Sequence, residues 1–325
     1  LLLCIMNQNF EGKRLCFKTY ARIRPVLDAQ RRIGNGIAVP DTKLLSIRDP
    51  FRGNTSEFAF DGVFDCNDVQ ENVFHQVVEP LVLHALQGYD ANFFVYGPAN
   101  SGKSYTSIGL DDQPSQKGMI SRSAEFLFSQ IRKNASAASH RYKVFASFID
   151  VSLDQIRDLG PAVMSMGGNP SNRVSPSDIS DFLKCRFPVV EDGQSSFVKD
   201  LTYLEVNSVE EVDAILRCGL VLKEAASSMA GGGISLEDDM SLTHRVFTLS
   251  IVQEPKGSGG GSMNSRSGTT TNISNAINNG GGLPSPHVTG HLTIIDLARF
   301  QLRHDRSSTP NGAINNGISN NNNNN

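Results

Sequence analysis

Apolar and polar residues follow two alternating patterns along most of the chain. Short apolar or alternating runs predict strands, and apolar residues at three- and four-residue spacing predict helices. The clearest helix is expected over residues 69–87, with Asn67 and Asp68 offering an N-cap and Gly88 ending it. The predicted strands are residues 15–24, 58–64, 92–96, 142–151, 187–190, 197–201, 245–252 and 291–295, and further helices are expected to begin near Lys103, Arg122 and Ser208.

This alternation of strands and helices predicts an α/β fold, with a central, mostly β-sheet core flanked by helices on both faces. Residues 256–289 are rich in Gly, Ser and Asn, and residues 307–325 end in a run of Asn. Neither segment has enough apolar surface to offset the entropy of ordering it, so we expect a disordered loop and a disordered tail. The expected organisation is an N-terminal extension over 1–14, one domain over 15–306 that contains the loop, and the tail.

Composition narrows the class of protein. The formal net charge of the 325 residues is −3, so no global basic field favours a nucleic acid or an anionic membrane as a partner. The five cysteines show no paired spacing, which is typical of reduced thiols in a reducing compartment. No apolar run approaches the length of a membrane span, so a cytoplasmic protein is expected.

One segment carries recognisable chemistry. Residues 97–104, GPANSGKS, fit the phosphate-binding pattern G-x-x-x-x-G-K-[ST]. Lys103 can reach the β- and γ-phosphate oxygens of a nucleotide, and the Ser104 hydroxyl can ligate Mg²⁺. The predicted strand 92–96 and the helix after it would place a helix N-terminus at the phosphates. The predicted nucleotide-binding residues are Gly97, Pro98, Ala99, Asn100, Ser101, Gly102, Lys103 and Ser104.

Together with this loop, further stretches resemble the kinesin motor domain, in the family's order, over about residues 15–302. The matching stretches are residues 21–25, 58–64, 88–92, 97–106, 118–122, 149–151, 155–159, 190–192, 206–226, 241–250 and 292–298. The resemblance implies a P-loop ATPase fold that is incomplete at its C-terminal end, with ATP or ADP and Mg²⁺ as ligands. It also implies a microtubule as partner and a cytoplasmic, cytoskeleton-associated location.

The resemblance also implies roles for individual residues. Arg22 and Pro25 are expected to pack on the adenine, and Tyr105 is expected to lie near the base. Ser241 is expected to reach Mg²⁺ and the γ-phosphate, and Asp296 follows an apolar strand as a Mg²⁺-linked carboxylate should. Without the family context, the arginine-proline element would also fit a strand end with exposed arginines.

The two loops that sense the γ-phosphate in the family depart from its patterns N-x-x-S-S-R-S-H and D-x-x-G-x-E. Here they read EDDMSLTH over 237–244 and DLARFQ over 296–301. Leu242 and Gln301 replace the arginine and glutamate whose ion pair closes the family's site, and Arg299 replaces the sensing glycine. Phosphoryl transfer depends mainly on positioning and electrostatics, so nucleotide binding is expected to outlast hydrolysis. The exception would be that the acidic residues 237–239 or Arg299 take over the role of the missing ion pair.

The resemblance leaves three hypotheses open. The first is a kinesin-like motor whose microtubule contact is weakened, because the helices that make this contact in the family are not recognisable after residue 302. The second is a nucleotide-binding interaction module without turnover, and the third is a truncated product that lacks the microtubule contact. Lys184, Arg186 and Lys199 beside the predicted hairpin are candidates for lattice contact, although they also fit a solvated surface.

Overall fold

The computed structural model describes residues 2–8, 15–25, 36–110, 113–134, 140–152, 155–191, 196–230, 243–255 and 288–298. Strands make up a large part of these residues. The strands are β1 Leu2–Gln8, β2 Leu15–Arg22, β3 Ile37–Asp41, β4 Leu44–Arg48, β5 Thr55–Ala59, β6 Gly62–Phe64, β7 Asp90–Tyr96, β8 His140–Ser152, β9 Gln155–Asp158, β10 Val189–Glu191, β11 Ser196–Val198, β12 Leu204–Val206, β13 His244–Pro255 and β14 Val288–Asp296.

Within the described residues, nine strands form one central mixed sheet. Their order is β12-β8-β13-β14-β7-β1-β2-β6, and β9 pairs with β8 outside this path. The β7–β14 and β2–β6 pairs are parallel, whereas the other pairs are antiparallel. Strands β3, β4 and β5 form a separate small sheet, and β10 with β11 forms the hairpin predicted around residue 192.

The helices include all those that the sequence predicts. A π turn over Phe74–Val78 joins α1 to α2, so the helix predicted over 69–87 is one continuous path. The helices are α1 Gln70–Val73, α2 Glu79–Leu86, α3 Lys103–Ser107, α4 Met119–Asn134, α5 Gly160–Ser165, α6 Pro176–Lys184 and α7 Val209–Ala230.

The predicted caps of two helices had different outcomes. The cap expected at Asn67 or Asp68 is wrong, because α1 begins after Val69 without a side-chain cap and the Asp68 carboxylate instead accepts a hydrogen bond from the Asp65 amide. Ser208 does cap α7, since its hydroxyl accepts a hydrogen bond from the Glu211 amide at 3.3 Å. The Glu211 carboxylate accepts from the Asn207 amide at 2.7 Å, which completes a reciprocal arrangement of the capping-box kind.

The hydrophobic core lies between the helices and one face of the central sheet. Fully buried strand residues such as Phe93 and Phe247 pack there with helical residues such as Leu81 and Leu222. Residues that alternate with the core positions along β8 and β13 point to the other face. They contribute to a second, smaller cluster around Phe145, Ile149, Leu201 and Tyr203, and no member of it comes from a described helix.

Two segments differ from their sequence-based descriptions. Strand β1 comes from the segment set apart as an N-terminal extension, yet it lies inside the central sheet between β2 and β7, with Leu3 and Ile5 buried. The single strand expected over 58–64 is wrong. Its first part pairs with β4 in the small sheet, and its second part pairs with β2 in the central sheet.

The two strands that flank the Gly- and Ser-rich segment are neighbours, as expected. Strand β13 pairs with β14 in antiparallel register from Arg245↔Asp296 to Gln253↔Val288. Residues 256–287 between them and the Asn-rich tail 307–325 lie outside the described residues. None of the described helices combines the length and the hydropathy needed to cross a membrane.

Candidate nucleotide-binding site

The glycine-rich loop lies between β7 and α3, in the strand–loop–helix arrangement that the sequence predicts. Within it, Asn100 and Gly102 adopt left-handed backbone conformations, with φ of 59° and 97°. Glycine takes up this conformation without strain, so Gly102 suits the point where the loop enters the helix. The Thr106 hydroxyl donates a hydrogen bond back to the Gly102 carbonyl at 3.0 Å and fixes this turn.

Two cationic side chains lie on the loop. The Lys103 ammonium group donates to the carbonyl oxygens of Gly97 and Pro98, each at 2.9 Å. The Arg24 guanidinium donates to the carbonyl oxygen of Asn100. Both positive charges are therefore at the segment where phosphates are expected, and the contact of Arg24 was missed in the sequence analysis, which assigned only Arg22 and Pro25 from this element.

Asp296 ends β14 directly beside the loop. Because β14 runs parallel to β7 with Asp296 opposite Val95, the carboxyl ends of the two strands meet at the same edge of the sheet. The Asp296 Oδ2 atom accepts hydrogen bonds from the hydroxyls of Ser104 at 2.9 Å and Ser107 at 3.2 Å. Ser107 was also missed, although its spacing of three residues from Ser104 on a helix signals a shared face.

The donor atoms at this edge suit Mg²⁺. A serine hydroxyl and a carboxylate are hard oxygen ligands, and the Ser104 and Asp296 oxygens lie 2.9 Å apart. No group of three or more His, Cys, Asp or Glu residues that could hold a metal occurs among the described residues. Mg²⁺ is commonly held by one or two protein oxygens together with substrate phosphates, and the residues present fit that mode of binding.

Arg22 is a buried link between three elements rather than an exposed strand-end arginine, since its exposed fraction is 8%. Its guanidinium donates to Gln70 Oε1 on α1 at 2.7 Å and to Thr106 Oγ1 on α3 at 2.8 Å, and it lies 5.4 Å from the centroid of the Tyr105 ring. Burial lowers the pKa of the Arg22 guanidinium, and nearby Tyr105 and Asp68 oppose that shift. Arg22 therefore supports the position of Tyr105.

An open pocket of about 800 Å³ adjoins the loop, which is within the usual size range of ligand pockets. Of the residues predicted from sequence, Gly97, Pro98 and Ala99 are not among those that line it, and Asp296 lies beside Ser104 rather than in the lining. The predicted residues that line it are Arg22, Pro25, Asn100, Ser101, Gly102, Lys103, Ser104 and Tyr105. Sequence reasoning missed other lining residues, including Cys66, Asp68, Ser115 and Gln116.

The ends of the two divergent loops meet beside this site. The Nδ1 atom of His244, which begins β13, accepts a hydrogen bond from the Ala298 amide at 3.0 Å. The described residues do not include 237–242, which contain Ser241, nor do they include Arg299 and Gln301. Their predicted roles remain predictions.

Comparisons with known proteins identify the family. The family model described as the kinesin motor domain matches residues 22–322. Kinesin-like protein KIN-14D of Arabidopsis thaliana is 32% identical over 240 residues, and kinesin-like protein KIF3C of Bos taurus is 26% identical over 250 residues. These alignments cover 72% and 75% of this chain, but only 29% and 28% of the two relatives, so the chain spans less than a third of their length.

A solved structure described as that of a fast kinesin has the same fold. It is 24% identical, with a TM-score of 0.65, and the match covers 89% of this chain and 67% of that one. The family match extends over most of the chain and includes the loop, Arg22 and Asp296. This chain belongs to the kinesin motor domain family.

Proposed function

We propose that this chain binds Mg²⁺ complexes of ATP and ADP at the glycine-rich loop and hydrolyses ATP weakly. The observation that carries the proposal is the hydrogen bond between Ser104 and Asp296, formed at the side of a nucleotide-sized pocket. It joins two hard oxygen groups of the kind that Mg²⁺ prefers, from elements far apart in sequence.

Different residues around the pocket would bind different parts of the nucleotide. Lys103 and the loop amides would bind the phosphates, while Arg22, Pro25 and Tyr105 would hold the base at the other end. Ser104 and Ser241 would ligate Mg²⁺, and the Asp296 carboxylate would lie near the metal. Bound Mg²⁺ would neutralise part of the phosphate charge.

Weak hydrolysis follows from the residue types in the two loops. Leu242 and Gln301 carry no charge, so they cannot form the ion pair that closes the family's site. Arg299 has a Cβ and a long side chain where a freely rotating glycine is expected. Loss of a closure element lowers the rate of phosphoryl transfer more than it lowers nucleotide affinity, because transfer depends on precise positioning.

Microtubule-based movement in the cytoplasm is the cellular role that family membership favours. The exposed cations Lys184, Arg186 and Lys199 flank the β10–β11 hairpin and are the described candidates for contact with an acidic lattice.

The uncharged residues Leu242 and Gln301 also favour a second candidate function, a nucleotide-binding module that does not turn over and serves as an interaction partner.

Equilibrium binding of fluorescent ADP and of a non-hydrolysable ATP analogue tests the nucleotide site. Lys103→Ala should weaken binding roughly tenfold or more, because a charged hydrogen bond is worth about 1.5–3 kcal/mol. Lys133→Ala is the matched control, since this exposed lysine in the last turn of α4 carries the same charge. Binding that is unaffected by Lys103→Ala, or no binding by the unaltered chain, would refute the proposal.

A further inference from the structure

Three charged residues form a row across adjacent strands, starting from Asp296 at the sheet edge where Mg²⁺ is proposed to bind. We call this edge the metal-binding edge. Asp150 on β8 is opposite Arg245 on β13, and Arg245 is opposite Asp296 on β14. Each stands two positions from a core residue of its own strand, namely Phe148, Phe247 and Ile294. Because side chains alternate along a strand, all three charged side chains point to the helical face of the sheet.

A lysine from the longest helix extends this row. The Lys223 ammonium group on α7 lies 2.7 Å from Asp150 Oδ1 and also donates to the Thr243 hydroxyl. At the other end, Arg245 Nη1 lies 3.8 Å from Asp296 Oδ2. Positive and negative groups therefore alternate from the metal-binding edge to α7, and we call Asp296, Arg245, Asp150 and Lys223 the charge row.

The charge row is costly to bury. The side chains of Asp150, Asp296 and Lys223 are 1%, 6% and 13% exposed, and that of Arg245 is 27% exposed. Apolar residues of similar volume in place of a buried ion pair are often as stable or more stable. Stability alone therefore does not account for four charged groups at this place.

The packing of α7 brings Lys223 within reach of the sheet. Gly219 lies one turn before Lys223, and a Cβ atom there would be only 2.6 Å from two ring atoms of Phe148. The helix can therefore approach β8 closely at this point. Thr243, which Lys223 contacts, immediately precedes His244 at the end of the divergent loop.

We propose that Arg245 and Lys223 are positioning residues for the Mg²⁺-linked carboxylate of Asp296, acting through the charge row. The inference rests on the proposed nucleotide site. Arg245 places a guanidinium beside Asp296 in the same segment in which Leu242 replaces the family's arginine. Asp150 lies opposite Arg245 on the neighbouring strand and is itself paired with Lys223 at 2.7 Å, so we expect the position of the Asp296 carboxylate to depend on α7 through Arg245.

The Mg²⁺ increment of nucleotide binding provides a direct test. It is the ratio of the Kd of fluorescent ADP in EDTA to its Kd in Mg²⁺. A double variant, Lys223→Met with Asp150→Asn, removes one ion pair without leaving a buried charge unpaired. Substitution of residues that orient a metal ligand commonly weakens metal binding by about 10–100-fold, so we expect the increment to fall about tenfold while the Kd in EDTA is unchanged.

The chain supplies a matched control. Lys143 on β8 and Glu254 on β13 form an ion pair of 2.7 Å at the end of these strands that is far from Asp296. Removing that pair with Lys143→Met and Glu254→Gln should leave the increment unchanged. Arg245→Met should lower it as the double variant does, and Lys223→Arg alone should preserve it, because a cation remains opposite Asp150.

The outcomes separate the inference from the proposed function. A selective fall of the increment in a folded double variant supports the charge row. An increment equal to that of the unaltered chain, or the same loss in the Lys143 and Glu254 control, overturns it while leaving nucleotide binding intact. If the unaltered chain binds no ADP in either buffer, the proposed function fails and the inference fails with it.

Discussion

The Ser104 hydroxyl donates a hydrogen bond to Asp296 Oδ2 across 2.9 Å, although the two residues are 192 positions apart in the chain. The contact exists because β7 and β14 are parallel neighbours that end at the same edge of the sheet. It joins the glycine-rich loop to the start of the second divergent loop. The site is thus assembled by the sheet rather than by local sequence.

Ser104→Ala should weaken Mg²⁺-dependent nucleotide binding. The substitution removes one Mg²⁺ oxygen ligand and the hydrogen bond to Asp296, so affinity in Mg²⁺ should fall about tenfold or more, with little change in EDTA. Calorimetric titration with ADP in both buffers measures this. Ser228→Ala on the exposed side of α7 is the control. An equal loss in both buffers would assign Ser104 to phosphate or loop geometry instead.

Arg22→Ala should destabilise the fold as well as the site. The substitution removes the donor to Gln70 Oε1 and to Thr106 Oγ1 at a buried position, so the free energy of unfolding should fall by about 2–3 kcal/mol. Urea unfolding without nucleotide measures it. The adjacent Arg24→Ala is the control, because Arg24 is more exposed and contacts only the loop carbonyl among the contacts described. A change in unfolding free energy no larger than that of the control would contradict the structural role of Arg22.

Nucleotide should protect Cys66 from alkylation. This exposed thiol lines the pocket next to Asp68, so a bound nucleotide is expected to slow its reaction with a maleimide reagent. Cys185, which is also exposed but is not among the pocket residues, should react at the same rate with and without nucleotide. Mass spectrometry of labelled peptides reports both rates in one sample. Equal labelling of Cys66 in both conditions would place the nucleotide elsewhere.

Ser175→Ala should lower stability without affecting nucleotide binding, because Ser175 caps α6 by accepting from the Asp178 amide. We expect a loss of about 1 kcal/mol at neutral pH. The hydroxyls of Ser175 and Ser165 hold the pKa of Asp178 below its usual range. The pKa of Asp178 is therefore lower in the folded state than in the unfolded state. Its hydrogen bonds to the two serines stabilise the fold fully above the unfolded pKa, and this stabilisation is lost as pH falls through the folded pKa.

Thermal unfolding of Ser175→Ala and of the unaltered chain over a pH series tests the direction of this pH dependence. The difference between Ser175→Ala and the unaltered chain should be largest near neutral pH and should shrink below about pH 4. A difference that grows as the pH falls would contradict the account of Asp178.

Local geometry was predictable from the sequence where short motifs constrain it. The strand, loop and helix around Lys103 follow from a glycine-rich pattern after an apolar run. The pairing of strands was less accessible. The apolar run in β1 fits a buried strand or a helix equally well by pattern, and its place between β2 and β7 is decided only in the assembled sheet.

The break within 58–64 shows the same limit. Its apolar residues on both sides of Asp61 and Gly62 suggest one strand, yet the chain leaves the small sheet at Asp61, whose amide donates to the Thr19 carbonyl at 2.8 Å. Gly62 then passes so close to Tyr20 that a Cβ would lie 2.9 Å from its ring. These contacts depend on a partner strand that the local sequence does not identify.

Steady-state ATP turnover, with and without microtubules and with Lys103→Ala as the blank, shows whether the proposed nucleotide site hydrolyses ATP only weakly. We expect turnover of about 1 s⁻¹ or less, at the bottom of the usual enzyme range, even with microtubules present. Fast, microtubule-stimulated turnover that Lys103→Ala abolishes would contradict it. That result would mean that Leu242, Arg299 and Gln301 do not impair closure of the site.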